Sequence, residues 1–309
     1  MLGILCPGQG AQHAGMLDLL LADSHAGAAL DRVAPALGRH PRALLAGPSR
    51  LFDNDVAQPL ICAAQIAAWE GLQHYAVAAR AFAGYSVGEL ASHACAGAID
   101  APALVRLALQ RAAVMEAAAA EKGRRGGMIG LSGASSTDVQ RVCSGRDAWP
   151  AIVIDASTFV VGGVDDALAG IAREAALQGW KITCLNVGVA SHTPLLAAAV
   201  APFRRDLETA GFRDAPVPVA SGIDGRLQMG AAHAIDSLAR QLSQTIRWSD
   251  CLDALHERGC RVYLELGPGR ALSRMVRERY PASDVRSLED FRTLAGAAQW
   301  IRRCCGARD

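Results

Sequence analysis

Arg80-Ala81-Phe82-Ala83-Gly84-Tyr85-Ser86-Val87-Gly88-Glu89-Leu90-Ala91 decides how the rest of the chain is read. An apolar run leads into Gly-x-Ser-x-Gly, and a helical segment follows until Gly97. A serine held in strained geometry between a strand and a helix tolerates no bulk two residues to either side, which is what the flanking glycines provide. Such a turn lifts the hydroxyl to the tip of a strand. It also sets the helix N-terminus, with its free N–H groups, beneath any oxyanion formed there. The same residues would equally serve a glycine-rich turn whose serine only caps a helix.

Length and composition bound the rest. The 309 residues suffice for one large domain carrying an insertion, or for two modest domains. Hydrophobic residues at 51% and charged residues at 20% support a substantial buried core and argue against disorder. A net charge of +1, with no basic block beyond Lys122-Gly123-Arg124-Arg125, disfavours a nucleic-acid partner. No Lys or Arg precedes Arg32, and Pro7-Gly8 breaks the first apolar run, so no secretory signal is expected. No apolar stretch reaches the length of a membrane span. The nine scattered cysteines contain no Cys-x-x-Cys pair and read as buried apolar fillers in a reducing compartment, with no disulfide and no metal site. A cytoplasmic protein is expected.

Leu2 to Cys6 predicts a short buried strand entering the Pro7-Gly8-Gln9-Gly10 turn, which would lie at the carboxyl edge of a sheet, where ligands bind. Asp53 to Trp69 reads as a polar cap followed by an apolar helix opened by Pro59. The Ala-rich segment Ala101 to Glu121 is helical by propensity. On that helix Leu104, Leu107, Val114 and Met115 form one apolar arc with Arg111 in its middle. A core-facing guanidinium needs an anionic or strongly accepting partner. That partner is either a structural carboxylate or, if the helix packs beside Ser86, the carboxylate of a bound molecule. Gly123 to Gly127 reads as a hinge, after which the order strand, helix, strand, strand, helix, strand up to Val187 is that of a ferredoxin-like unit. In Val189-Ala190-Ser191-His192-Thr193-Pro194, Thr193 is expected to cap a helix opened by Pro194, leaving His192 at the seam of two units. His13 and His93, near the glycine loop and the serine turn, are rival bases. Arg261 to Leu266 reads as a strand ending in Gly267-Pro268-Gly269, a further turn at the sheet edge.

Taken together, Pro7-Gly8-Gln9-Gly10, Gly84-Tyr85-Ser86-Val87-Gly88-Glu89, Arg111, Ser191-His192, Gln244-Thr245-Ile246-Arg247-Trp248 and Leu266-Gly267-Pro268-Gly269 resemble the malonyl-CoA:acyl-carrier-protein transacylase family over nearly the whole chain. The resemblance implies an α/β fold: an α/β-hydrolase-like large subdomain with a parallel sheet (1–125 and 190–309) interrupted by a small ferredoxin-like subdomain (126–189). It implies Ser86 as nucleophile, His192 as general base, and the backbone N–H groups of Gln9 and Val87 as oxyanion hole. Arg111 would take the malonyl carboxylate, and the backbone carbonyl of Arg247 would orient His192. A malonyl group would pass from malonyl-CoA through a malonyl-serine to a thiol on an acyl-carrier protein. Asp53-Asn54-Asp55-Val56-Ala57-Gln58-Pro59, Gly84 to Leu90 and Val189 to Leu196 look most like the epsilon subunit of malonate decarboxylase. The acceptor there would be a phosphoribosyl-dephospho-CoA thiol on the carrier subunit, in place of the phosphopantetheine of fatty acid synthesis. The chain would need no cofactor or metal of its own.

The pattern departs from the fatty-acid-synthesis members at Tyr85, where they usually carry His, and at Cys6, where they often carry Phe. Ile154 to Thr158 lacks an Asn common in relatives, and Val189-Ala190-Ser191 leaves malonyl and methylmalonyl selection open. A serine thioesterase shares the Gly-x-Ser-x-Gly turn, but a hydrolase of neutral acyl groups gains nothing from Arg111. A non-catalytic carrier-docking subunit would not require Ser86, His192 and Arg111 together.

Overall fold

The computed structural model describes residues 1–121, 123 and 126–306, apart from the side chain of residue 48. Of the expected hinge, Arg124 and Arg125 lie outside the described residues, as does Lys122.

Among the described residues, eleven strands form two sheets: β1 (Leu2–Cys6), β2 (Ala81–Gly84), β3 (Gly126–Ser132), β4 (Ala148–Val153), β5 (Thr158–Val164), β6 (Lys181–Cys184), β7 (Val219–Ala220), β8 (Leu227–Gln228), β9 (Ile246–Arg247), β10 (Val262–Glu265) and β11 (Asp284–Ser287). The larger sheet has the order β11-β10-β1-β2-β7-β8. Its first five strands are parallel, and β8 runs antiparallel to β7. Strands β1, β2 and β10 are buried along their whole length, as expected of a parallel sheet covered on both faces. Side chains alternate between the two faces. Leu2, Ile4, Cys6, Phe82, Val262 and Leu264 join the core that includes the helices Asn54–His74, Val87–Cys95 and Ala101–Glu121. Leu5, Ala83 and Tyr263 point the other way, into a core with Trp248, Leu252 and Leu255.

The second sheet has the order β6-β3-β5-β4-β9. Its first four strands pair antiparallel, and with helices Ser136–Cys143 and Asp165–Leu177 they give the ferredoxin-like arrangement. They enclose a separate core of Leu131, Val139, Phe159, Val161 and Ile171. The fifth strand was not expected. β9 comes from far downstream and pairs parallel with β4, Ile152 opposite Ile246 and Val153 opposite Arg247. Pro150 sits in β4 at a register shift, where a missing N–H is tolerated.

Three local expectations differ from the structure. The helix read as opening at Pro59 begins at Asn54, with Pro59 inside it. The bond that proline cannot donate belongs to the carbonyl of exposed Asp55, where water can replace it. Thr193 does not cap a helix: its hydroxyl donates to the Ala190 carbonyl at 2.7 Å, and Pro194–Leu196 is a 3-10 turn ahead of helix Ala197–Thr209. Of the nine cysteines, Cys184 is exposed and Cys304 and Cys305 are half-buried, so buried filler describes only the others.

Candidate active site

Ser86 occupies the turn between β2 and helix Val87–Cys95 at φ 57° and ψ −119°, a strained conformation for a residue with a side chain. Neighbouring backbone leaves no room for side chains on either flank. A Cβ on Gly84 would lie 2.1 Å from the Glu89 nitrogen, and one on Gly88 would lie 2.0 Å from the Cys6 carbonyl oxygen. The glycines are thus required by close approach, with the turn pressed against the end of β1.

The turn after β1 lies alongside. A Cβ on Gly8 would be 2.8 Å from the Tyr85 carbonyl oxygen and 3.6 Å from Ser86 Cβ. This sets the segment carrying Gln9 beside Ser86, with Val87 opening the helix on the other side. Buried Gln65 fixes that turn by donating to the Pro7 carbonyl at 2.6 Å. The Gly267-Pro268-Gly269 turn braces it from behind, since a Cβ on Gly267 would meet the Pro7 ring at 2.4 Å. Gly267 and Pro268 line a separate cavity of about 340 Å³ with His13 and Arg270.

His192 lies at the seam between the two sheets, with φ 62° and its N–H donating to the Leu242 carbonyl at 2.9 Å. Its Nε2 is 2.8 Å from Ser86 Oγ, and its Nδ1 is 2.6 Å from the Gln241 carbonyl oxygen. A carbonyl can only accept, so the proton sits on Nδ1 and Nε2 is left to accept from the serine hydroxyl. The orienting carbonyl expected at Arg247 is therefore Gln241's. Gln241 ends helix Ala231–Gln241, and the last carbonyls of a helix have no partner within it. Arg247 instead lies in β9 and directs its side chain to Asp250.

Arg111 faces the core as its spacing on Ala101–Glu121 predicts and is 2% exposed. No carboxylate touches it among the described residues. It donates to Gln58 Oε1 at 2.8 Å through Nη1, and to Gln241 Oε1 at 3.3 Å and Ser86 Oγ at 3.4 Å through Nη2. Each amide is backed by a carboxylate. Gln241 Nε2 donates to Glu89, while Gln58 approaches Asn54, which donates to Glu116 at 2.5 Å. Burial, then the Arg111 charge, brings His192 down to about 3 against the opposing bond to Gln241. The imidazole is accordingly neutral and able to accept a proton at neutral pH. Burial lowers Arg111 itself to about 10, so it stays a cation.

The rival histidines lie apart. His13 is exposed and pairs with Glu289 at 2.6 Å, and His93 is buried against Phe212 with burial holding it near 4. Gln58, Gln241 and Glu89 escaped sequence reading as site residues. The sequence carries a signal for the first: Gln58 and Gln65 interrupt the otherwise apolar middle of helix Asn54–His74 two turns apart, on one face, and both reach the site. Beside the site, a cavity of about 470 Å³ lies at the seam, bounded by Glu116 and Ala119 on one side and by Val189, Ala190 and Leu196 on the other. Ser86, His192 and Arg111 are not among its lining residues.

Residues 4–301 match the acyl transferase domain family. The chain belongs to the malonyl CoA-acyl carrier protein transacylase family of acyl transferases. It is 33% identical over 303 residues to the malonyl CoA-acyl carrier protein transacylase of Mycobacterium tuberculosis, covering 96% of this chain and 99% of that one. It is 28% identical to the same-named protein of Salmonella typhimurium over 307 residues, covering 94% and 96%. The solved transacylase of Coxiella burnetii superposes with a TM-score of 0.91 at 26% identity, covering 98% of this chain and 97% of that one. A malonyl-transacylase solved in complex with its type II polyketide acyl-carrier protein superposes with a TM-score of 0.90 at 27% identity, covering 96% and 99%. An acyl transferase with this fold has the expected large α/β-hydrolase-like and small ferredoxin-like subdomains.

Proposed function

We propose that this acyl transferase moves a malonyl group from malonyl-CoA to the prosthetic thiol of an acyl-carrier protein through a malonyl-serine at Ser86. The observation that carries the reading is the position of Ser86 Oγ between His192 Nε2 and Arg111 Nη2. His192 takes the hydroxyl proton as Oγ attacks the thioester carbonyl. The backbone N–H groups of Gln9 and Val87 receive the oxyanion of the tetrahedral intermediate. Collapse of that intermediate expels the CoA thiolate, which takes the proton back from His192. The carrier thiol then gives its proton to His192, attacks the malonyl-serine and restores the free hydroxyl. Throughout, Arg111 holds the terminal carboxylate, for which its two nitrogens offer a fork already fixed by two amides.

In this reading the seam cavity, lined by Ala190 two residues from His192, admits the pantetheine arm, and 126–189 is the ferredoxin-like subdomain inserted between 1–125 and 190–309. The phosphopantetheine belongs to the carrier, and the chain acts in the cytoplasm without a cofactor of its own. The named relatives are transacylases acting with acyl-carrier proteins, which favours a fatty-acid or polyketide setting over a malonate decarboxylase complex. The decarboxylase setting keeps the support of residues 53–59, 84–90 and 189–196, Tyr85 in particular.

Intact-protein mass spectrometry after mixing with malonyl-CoA tests the reaction. A malonyl adduct is expected on the native chain, absent from Ser86→Ala, and discharged to holo acyl-carrier protein faster than to water. Labelling of Ser86→Ala, or hydrolysis that dominates with carrier present, would reject the transfer reaction.

A further inference from the structure

Glu89 belongs to the serine-turn motif, yet no step above uses it. It is fully buried in the first turn of helix Val87–Cys95. Its carboxylate accepts from the Gly222 N–H at 2.9 Å, from Ser237 Oγ at 3.0 Å and from Gln241 Nε2. The fit is close, since a Cβ on Gly222 would lie 2.5 Å from Glu89 Oε2. The far side of the same Gln241 amide accepts from Arg111. One amide therefore bridges a buried anion to the buried cation of the acyl site.

An amide between these two groups has only one workable orientation. A carboxylate accepts only and a guanidinium donates only, so Nε2 must face Glu89 and Oε1 must face Arg111. Removing the anion leaves Arg111 alone to set that choice and frees Nε2 from its acceptor, so the amide is held less firmly, and a flipped amide would present N–H groups to a guanidinium. A carboxylate in direct contact with Arg111 would instead fill the fork and compete with any acyl carboxylate. Placed one amide away, the negative charge steadies the cation while no carboxylate among the described residues touches the guanidinium.

We propose that Glu89 is a positioning residue for malonyl selection: acting through the Gln241 amide, it keeps the Arg111 fork aimed at the acyl carboxylate. The inference rests on the assignment of Arg111 to that carboxylate. Burial lifts the Glu89 carboxyl to about 7, opposed by its three donors and by Arg111, so the test is run above neutrality where the anion holds.

The measurement is the ratio of kcat/KM for malonyl-CoA to that for acetyl-CoA, with holo acyl-carrier protein as acceptor. Glu89→Gln is expected to lower the ratio about tenfold, mainly through KM for malonyl-CoA, the scale of one hydrogen bond to a charged group. Gln241→Met is expected to lower it as well, and the double variant no further, because both act through one bridge. An unchanged ratio in Glu89→Gln, equal losses for both substrates, or additive losses in the double variant would each overturn the proposal. If Glu89→Gln does not fold, Ser237→Ala, which removes a single donor to the carboxylate, is expected to lower the ratio about threefold, and no change overturns the proposal. Arg111→Ala, measured alongside, separates the two levels. If it leaves the ratio unchanged, the carboxylate assignment itself fails. If it collapses the ratio while Glu89→Gln does not, only the role of Glu89 fails.

Discussion

Arg111 is a cation kept from water by its place on a core-facing helix stripe and kept from neutralisation by amide partners. A buried charge held this way is costly unless a ligand completes it, so its energy is recovered when an anionic acyl group binds. It also acts on the base. The Arg111 charge is the second cause, after burial, of the low His192 value, and a bound carboxylate that offsets this charge lets the imidazole accept the serine proton more readily. Arg111→Ala is therefore expected to cut malonyl transfer about a hundredfold or more while sparing or raising acetyl transfer. It should also move the acid limb of kcat/KM for acetyl-CoA to higher pH, because losing the cation lets His192 rise toward its ordinary 6.5. Steady-state kinetics across pH with both substrates checks the two effects. Equal loss of both transfers with an unmoved limb would make Arg111 structural.

At the scale of elements, the site is made by three abrupt chain reversals pressed together: the turn after β1, the Ser86 turn after β2, and the His192 loop leading into Pro194–Leu196. Gly88→Ala would drive a methyl into the Cys6 carbonyl and separate the first two. We expect a loss of about 3 kcal/mol in stability and of malonyl-serine formation together, read by denaturant unfolding and by the mass-shift assay. An alanine that left both intact would show the turn to be looser than its contacts indicate. This level was the most legible in the sequence. Glycines forced by close approach and an arginine inside an apolar arc each leave a mark in residue type and spacing, and Ser86, His192 and Arg111 do meet. The carbonyl behind His192 was not legible, because every residue carries one and only the end of helix Ala231–Gln241 leaves it free. Nothing in its own stretch marks Glu89 as a buried acid, since its three donors come from residues more than a hundred positions away.

At the scale of the molecule, the two sheets are tied by more than the connections at either end of the small one. β9 adds to β4 directly, and Thr245 donates to the Pro150 carbonyl at 2.7 Å. Ile246 is fully buried in the core that holds Leu5, Ala83 and Trp248 together with Ile152 and Val160 of the small sheet. Ile246→Ala is expected to cost about 2–4 kcal/mol. Amides of β4 and β5 should lose hydrogen-exchange protection before those of β1 and β10. Uniform loss would mean that the sheets open as one unit. The strand pair could not be foreseen from Gln244-Thr245-Ile246-Arg247-Trp248, which has only a short apolar signal and a partner nearly a hundred residues upstream.

That late strand has a consequence for synthesis. As the chain leaves the ribosome, the segment up to Cys184 can close its own four strands while β4 still presents a bare edge, because Ile246 and Arg247 have not yet emerged. A nascent chain stalled in that interval would offer this edge to neighbouring polypeptides. It would also lack Gln241, and with it the carbonyl that orients the His192 imidazole, so that capture of the edge and assembly of the Ser86 site are settled within the same short span of translation.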